Sequence, residues 1–177
     1  MQDALVDIVS RCTLHLVRKP MFPKKILVAT NASAEASPAL EAAVELANGT
    51  GSELHVVFVV STAPELPYPK FTARERNEAF LEQKRLGGFR LLERQARRAE
   101  ELGGRVTASH YREGKPETEV VRLGREINAG MIVTGGRRRP WFVRIFGPGF
   151  STKIFRKADR PVLVVGKHAV ENLAVPK

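Results

Sequence analysis

The chain has 177 residues, 43% of them apolar and 27% charged, with 29 Lys and Arg against 19 Asp and Glu for a net charge of +10. That length and composition exclude a mostly disordered chain and give one ordinary domain able to bury a core. A single cysteine, Cys12, excludes an internal disulfide and any multi-cysteine metal site, and no apolar run reaches the roughly 18–20 residues that span a bilayer. The first twenty residues lack a basic n-region and carry Asp3 and Asp7, so they make a poor signal peptide. The expectation is a cytoplasmic protein without a transmembrane segment.

Residues 1–22 carry an irregular apolar stripe, Leu5, Ile8, Val9, Cys12 and Leu16, which predicts an added helical extension. Residues 25–30 (KILVAT) are short, apolar and β-branched, the pattern of a buried strand. Ser33 can cap the helix that follows, whose inward positions are Ala36, Ala39, Leu40, Ala43, Val44 and Ala47, and Gly49 and Gly51 supply its stop. LHVVFVV at 54–60 is a second buried strand, and the three prolines of 61–70 force a loop. A heavily charged helix runs from about Thr72 to Leu102. Phe80, Leu81, Leu86, Phe89, Leu91, Leu92, Ala96, Ala99 and Leu102 are its candidates for burial, and Gly87-Gly88 should weaken or kink it.

Gly103-Gly104 ends that helix, and a third strand follows at about Val106–Tyr111. Pro116 opens a helix carrying Val120, Val121, Leu123 and Ile127. Met131–Thr134 is a fourth strand and 135–149 a glycine- and arginine-rich loop. Ser151–Lys157 is a helix with Ile154 and Phe155 expected inward, and Pro161–Val165 is the fifth strand. Strands alternating with helices predict an α/β fold, a three-layer sandwich on a five-stranded parallel sheet, doubly wound and Rossmann-like. Ligands in such sheets bind beyond the carboxyl ends of the strands where strand order reverses, which points to the loops after Thr30, Val60 and Thr134.

ILVATNASAEASPALEAAVELA resembles the opening strand and helix of the universal stress protein family. GKPETEVVRLGREINAGMIVTGG resembles that family's third helix and fourth strand, and KIFRKADRPVLVV its last helix and strand. The likeness divides the chain into the extension 1–22, a universal-stress-type domain at 23–167 and a tail at 168–177. It implies a binding and signalling module that pairs as a homodimer through the last strand, Val162–Val165. An adenine nucleotide, ATP (with Mg), ADP or AMP, is the implied ligand, with at most weak ATPase turnover.

Nucleotide-binding members carry G-x-x-G, nine residues, then G-[ST]. Here Gly135 matches the first glycine, Arg138 stands at the second, and an ungapped count puts Pro148 at the third. A shift of one brings Gly147 or Gly149 there, with Ser151 just beyond. The family's ribose-binding aspartate aligns with Asn31, which accepts a hydroxyl without charge assistance. The adenine slot maps to Val59, with Thr30 and Thr134 nearby. Arg138 either fills the phosphate space with its side chain or binds phosphate beside Arg137 and Arg139.

Segment 131–160 holds eight basic residues and one acid, seven of the ten net positive charges. This gives the alternative reading, a nucleotide-free regulatory protein whose basic surface at 137–160 meets an acidic protein or nucleic acid. His15, His55, His110 and His168 are scattered without ligand spacing, so no metal site is expected, and His55 reads as a hydrogen-bonded strand histidine. Neither a nucleophile elbow nor a Walker loop is present.

Overall fold

The computed structural model of the chain describes residues 22–30, 37–61, 75–136 and 149–166, and of 75–81 the backbone alone. Five strands, β1 (Lys25–Thr30), β2 (Glu53–Ser61), β3 (Val106–Gly114), β4 (Met131–Gly136) and β5 (Val162–Gly166), form one parallel sheet in the order β3-β2-β1-β4-β5. Four helices connect them: α1 (Ser37–Thr50), α2 (Glu75–Glu101), α3 (Pro116–Glu126) and α4 (Phe150–Lys157). The expected α/β sandwich is the observed one. The proposed cap at Ser33 lies outside the described residues.

Alternation along each strand sends successive side chains to opposite faces. Ile26 and Val28 of β1 meet Leu54, Val56 and Phe58 of β2 beneath Leu40 and Val44 of α1 and Leu92 and Ala99 of α2. Leu27, Ala29, Val57 and Ile132 form the other face, beneath Val120, Val121 and Leu123 of α3 and Ile154 of α4. The central strand is therefore covered on both sides, which is why KILVAT reads as continuous apolar sequence instead of an alternating one.

Three helices close in the same manner. Gly51 (φ 67°), Gly103 (φ 80°) and Asn128 (φ 52°) are left-handed. The next residue's amide reaches back five positions, Ser52 to Ala47, Gly104 to Ala99 and Ala129 to Gly124, at 2.8–3.0 Å. These bonds satisfy carbonyls that the helix leaves without partners. Gly49 lies inside α1, so Gly51 alone is the stop.

The long helix corrects two expectations. α2 runs unbroken through Gly87-Gly88, because Gly88 is where it rests on the sheet. A Cβ there would lie 2.7 Å from Val60 Cγ2 and 2.9 Å from Tyr111 Cε2. The face toward the sheet follows Gly88, Leu92, Gln95 and Ala99, a helical stripe containing one glycine and one amide. Leu86 and Phe89, expected to be buried, are exposed. Phe89 stacks on Tyr111 with ring centroids 4.0 Å apart, and Arg85 binds Glu113 through two hydrogen bonds of 2.7 and 3.0 Å. In α4, Ile154 is fully buried but Phe155, also expected inward, is 66% exposed. Neighbouring helix positions point about 100° apart, and α4 is seated with Ile154 toward the sheet, which turns Phe155 outward.

Candidate site at the carboxyl ends of β1 and β4

From β1 the chain moves outward through β2 to β3, then returns to place β4 on the other side of β1. The strand order reverses between β1 and β4, and in open α/β sheets ligands bind beyond the carboxyl ends of the strands at such a reversal. Thr30 closes β1, and Ala29 pairs with Thr134 of β4. Thr30 and Thr134 are both buried, on opposite faces of the sheet, because β-branched residues suit the strand and the core lies directly beneath.

Thr30 Oγ1 donates to Gln95 Oε1 of α2 at 3.2 Å, so the long helix contributes a polar group to this end of the sheet. Thr134 is 1% exposed, and among the described residues its hydroxyl has no partner. An unpaired buried hydroxyl costs on the order of 1–3 kcal/mol, a cost that a ligand supplying the missing hydrogen bond would remove.

Because β4 and β5 are parallel, the connecting helix must run back, and the first turn of α4 lies at the carboxyl end of the strands. Gly149 caps α4 with extended backbone and no side-chain hydrogen bond. The first amides of a helix have no intrahelical acceptor, and the dipole makes this end attractive to anions. Its first turn carries no acid. Lys157 reaches across to Thr118 Oγ1 at 3.0 Å and to Glu117 Oε1 at 3.6 Å on α3. Burial opposes ionisation of Glu117, but its own backbone amide, Lys153 and Lys157 together hold its carboxyl below the usual range. Lys157 thereby ties α4 to the opening turn of α3.

Of the sequence-derived candidates, Thr30, Val59, Thr134 and Gly135 come together along the carboxyl ends of three neighbouring strands, with Gly149 and Ser151 at the start of α4. Val59 packs half-buried on the face covered by α3. Asn31, Arg137, Arg138 and Gly147 lie outside the described residues. Sequence reasoning missed Gln95, whose only signal was a polar residue on the buried stripe of α2. It also missed the meeting of His55 and His110 on the adjacent strands β2 and β3, with nitrogens 2.9 Å apart. Among the described residues no group of three His, Cys, Asp or Glu is placed to hold a metal ion, and no helix is long and apolar enough to cross a membrane.

A family model described as the universal stress protein family matches residues 23–166. The curated relative "Universal stress protein YxiE" of Bacillus subtilis (strain 168) is 27% identical over 145 residues, covering 80% of this chain and 97% of its own length. A universal stress protein crystallised in complex with cAMP superposes with a TM-score of 0.62 at 18% identity, covering 81% of this chain and 97% of that one. One from Archaeoglobus fulgidus in complex with dAMP gives 0.54 at 22% identity, covering 79% and 95%.

Proposed function

Since the chain belongs to the universal stress protein family, we propose that it is a binding and signalling module that takes an adenine nucleotide at the carboxyl ends of β1 and β4. The buried hydroxyl of Thr134 at the strand-order reversal, which has no partner among the described residues, carries this reading. The uncapped start of α4 supports it, as a place for phosphate. That relatives of the same fold were crystallised with cAMP and dAMP supports adenine as the base.

In this reading Val59 and Thr30 border the base and Asn31 meets the ribose. Gly135, Gly147, Gly149 and Ser151 approach the phosphates, and Arg137 and Arg138 offer guanidinium groups to them. No turnover is assigned, so the nucleotide, ATP with Mg or AMP, acts as a bound signal. The test is thermal unfolding with and without millimolar ATP, ADP, AMP or cAMP. A ligand that binds only the folded chain at about 100 times its dissociation constant adds about 2.7 kcal/mol. An unchanged melting temperature with all four nucleotides refutes the reading.

A homodimer through β5 belongs to the same proposal. β5 is an edge strand, and its Leu163 and Val164 are 38% and 44% exposed. An apolar open edge invites a second strand.

The second reading is a nucleotide-free protein whose basic segment 137–160 meets an acidic protein or nucleic acid. The concentration of seven of ten net positive charges in 131–160 favours it. Nucleic-acid binding by this surface would fall steeply with salt. Absence of binding at low salt removes that partner.

A further inference from the structure

His55 and His110 form a contact for which the nucleotide reading has no use. In parallel register Leu54 pairs with Val106, but His55 pairs with Ala108, so β3 carries one extra residue at this point. Such a bulge re-aims the side chains around it. The result sets His55, across from Ala108, diagonal to His110, across from Val57. The rings stack with centroids 5.2 Å apart and an interplanar angle of 10°. His55 Nδ1 lies 2.9 Å from His110 Nε2, and His55 is only 6% exposed.

We propose that this pair is an acid-sensitive latch holding the amino-terminal half of edge strand β3 to β2. A single N–H fits between the two nitrogens. With both rings protonated, two N–H groups face each other without an acceptor, and the contact must open.

The charged groups around the pair come from three strands and a helix, and around His110 they and burial together oppose its protonation. Glu53 of β2 lies 3.4 Å from His55 Nε2 and also binds Lys25 of β1 at 3.6 Å. Glu126 of α3 faces His110, but it is already engaged by Arg112 of β3 at 2.6 Å and Arg122 of α3 at 3.3 Å. Burial, then His55, then Arg112 push His110 below the ordinary histidine value of 6.5, with Glu126 opposing. A base with a depressed folded value contributes stability that is complete above about pH 6.5 and is lost as the pH falls through that folded value.

The expected opening is local. The carboxyl half of β3 has further ties, Arg85 to Glu113 and Tyr111 beneath Gly88. Among the described residues β3 is an edge strand that pairs with β2 alone. The segment Val106–His110 therefore opens first.

Amide hydrogen exchange on the full chain, corrected for intrinsic rates, tests this between about pH 7.5 and about pH 5. Protection at 106–110 should fall by up to about tenfold per pH unit inside the titration window, while Ile26–Ala29 of β1 keeps its protection. His110→Gln retains an amide donor near the Nε2 position and cannot be protonated, so it should abolish the pH dependence. An equal loss in β1 and β3, or an unaltered pH response in H110Q, overturns the proposal. If H110Q does not fold, ring-nitrogen NMR of the wild-type chain decides. His110 remaining neutral below the ordinary histidine range supports the latch, and titration at the ordinary value refutes it.

Discussion

The adjacent glycines of α2 should respond to alanine in opposite directions. Both lie well inside the helix, where replacing glycine by alanine gains about 1 kcal/mol by restricting the unfolded chain and improving helix propensity. A methyl on Gly87 meets nothing within 4 Å, so Gly87→Ala should realise that gain in full. A methyl on Gly88 would lie 2.7 Å from Val60 Cγ2, 2.9 Å from Tyr111 Cε2 and 3.2 Å from Phe58 Cε1. Two of these approaches are closer than Cβ atoms tolerate, and Val60 and Phe58 belong to the buried core. Overpacking of this kind costs about 1–3 kcal/mol. Against the helix gain, the net effect of Gly88→Ala is a loss of up to about 2 kcal/mol. Urea unfolding of the two variants and the parent measures this as opposite shifts in the midpoint at constant slope. Equal stabilisation by both substitutions would refute the close seating of α2 on β2 and β3, and with it the Gly88–Leu92–Gln95–Ala99 stripe.

Tyr111 is pushed up to about 12, first by burial and then by the charge of Glu113 and the hydrogen bond to it. Of the two tyrosines in the chain, absorbance near 295 nm should therefore show one ionising about two pH units late, and Glu113→Gln should bring it down. Its folded value is raised, so its contribution is complete below about pH 10 and disappears as the pH rises through about 12. Arg160 Nη1 donates to the carbonyls of Gly124 at 2.5 Å and Ala129 at 2.6 Å, closing the end of α3 onto the entry of β5. Arg160→Ala removes charge-assisted bonds to both and should cost about 2–3 kcal/mol by denaturant titration; a loss below about 0.5 kcal/mol would mean that water replaces the guanidinium freely. Val164→Lys places a charge on the open edge of β5 and should leave a monomer in sedimentation velocity. A parent chain already monomeric at high concentration rules out pairing there. Thr134→Val fills the same space without the hydroxyl and should weaken the nucleotide-induced thermal shift while leaving the free protein at least as stable, because it removes a buried oxygen that is unpaired among the described residues.

Much of the fold was legible because its signals are local. Four-to-seven-residue apolar runs between helical stretches specify buried parallel strands, and the resulting strand reversal singles out one end of the sheet without reference to any side chain. Gly51, Gly103 and Pro116 mark helix boundaries through their own backbone preferences. For the candidate site, strand order pointed to the loops after Thr30, Val60 and Thr134, whereas Val59 and Gly135 were named through the resemblance to the universal stress protein family.

Orientation was not legible. Counting apolar residues in α2 favoured Leu86 and Phe89, yet the sheet receives Gly88 and Gln95, because close approach of helix to strand selects the smallest residue and Thr30 selects a hydrogen-bonding one. Ile154 and Phe155 are equally apolar in the sequence, and only the seating of α4 chooses between them. The amino-acid order alone determined the succession of strands and helices, the covering of both sheet faces and the end of the sheet where a ligand would enter. The tertiary structure decided which partners meet across it: Gln95 with Thr30, His55 with His110, and, among the described residues, nothing with the hydroxyl of Thr134. Those meetings depend on register between segments as many as 65 residues apart, and propensity and periodicity, which act over a few residues, carry no information at that range.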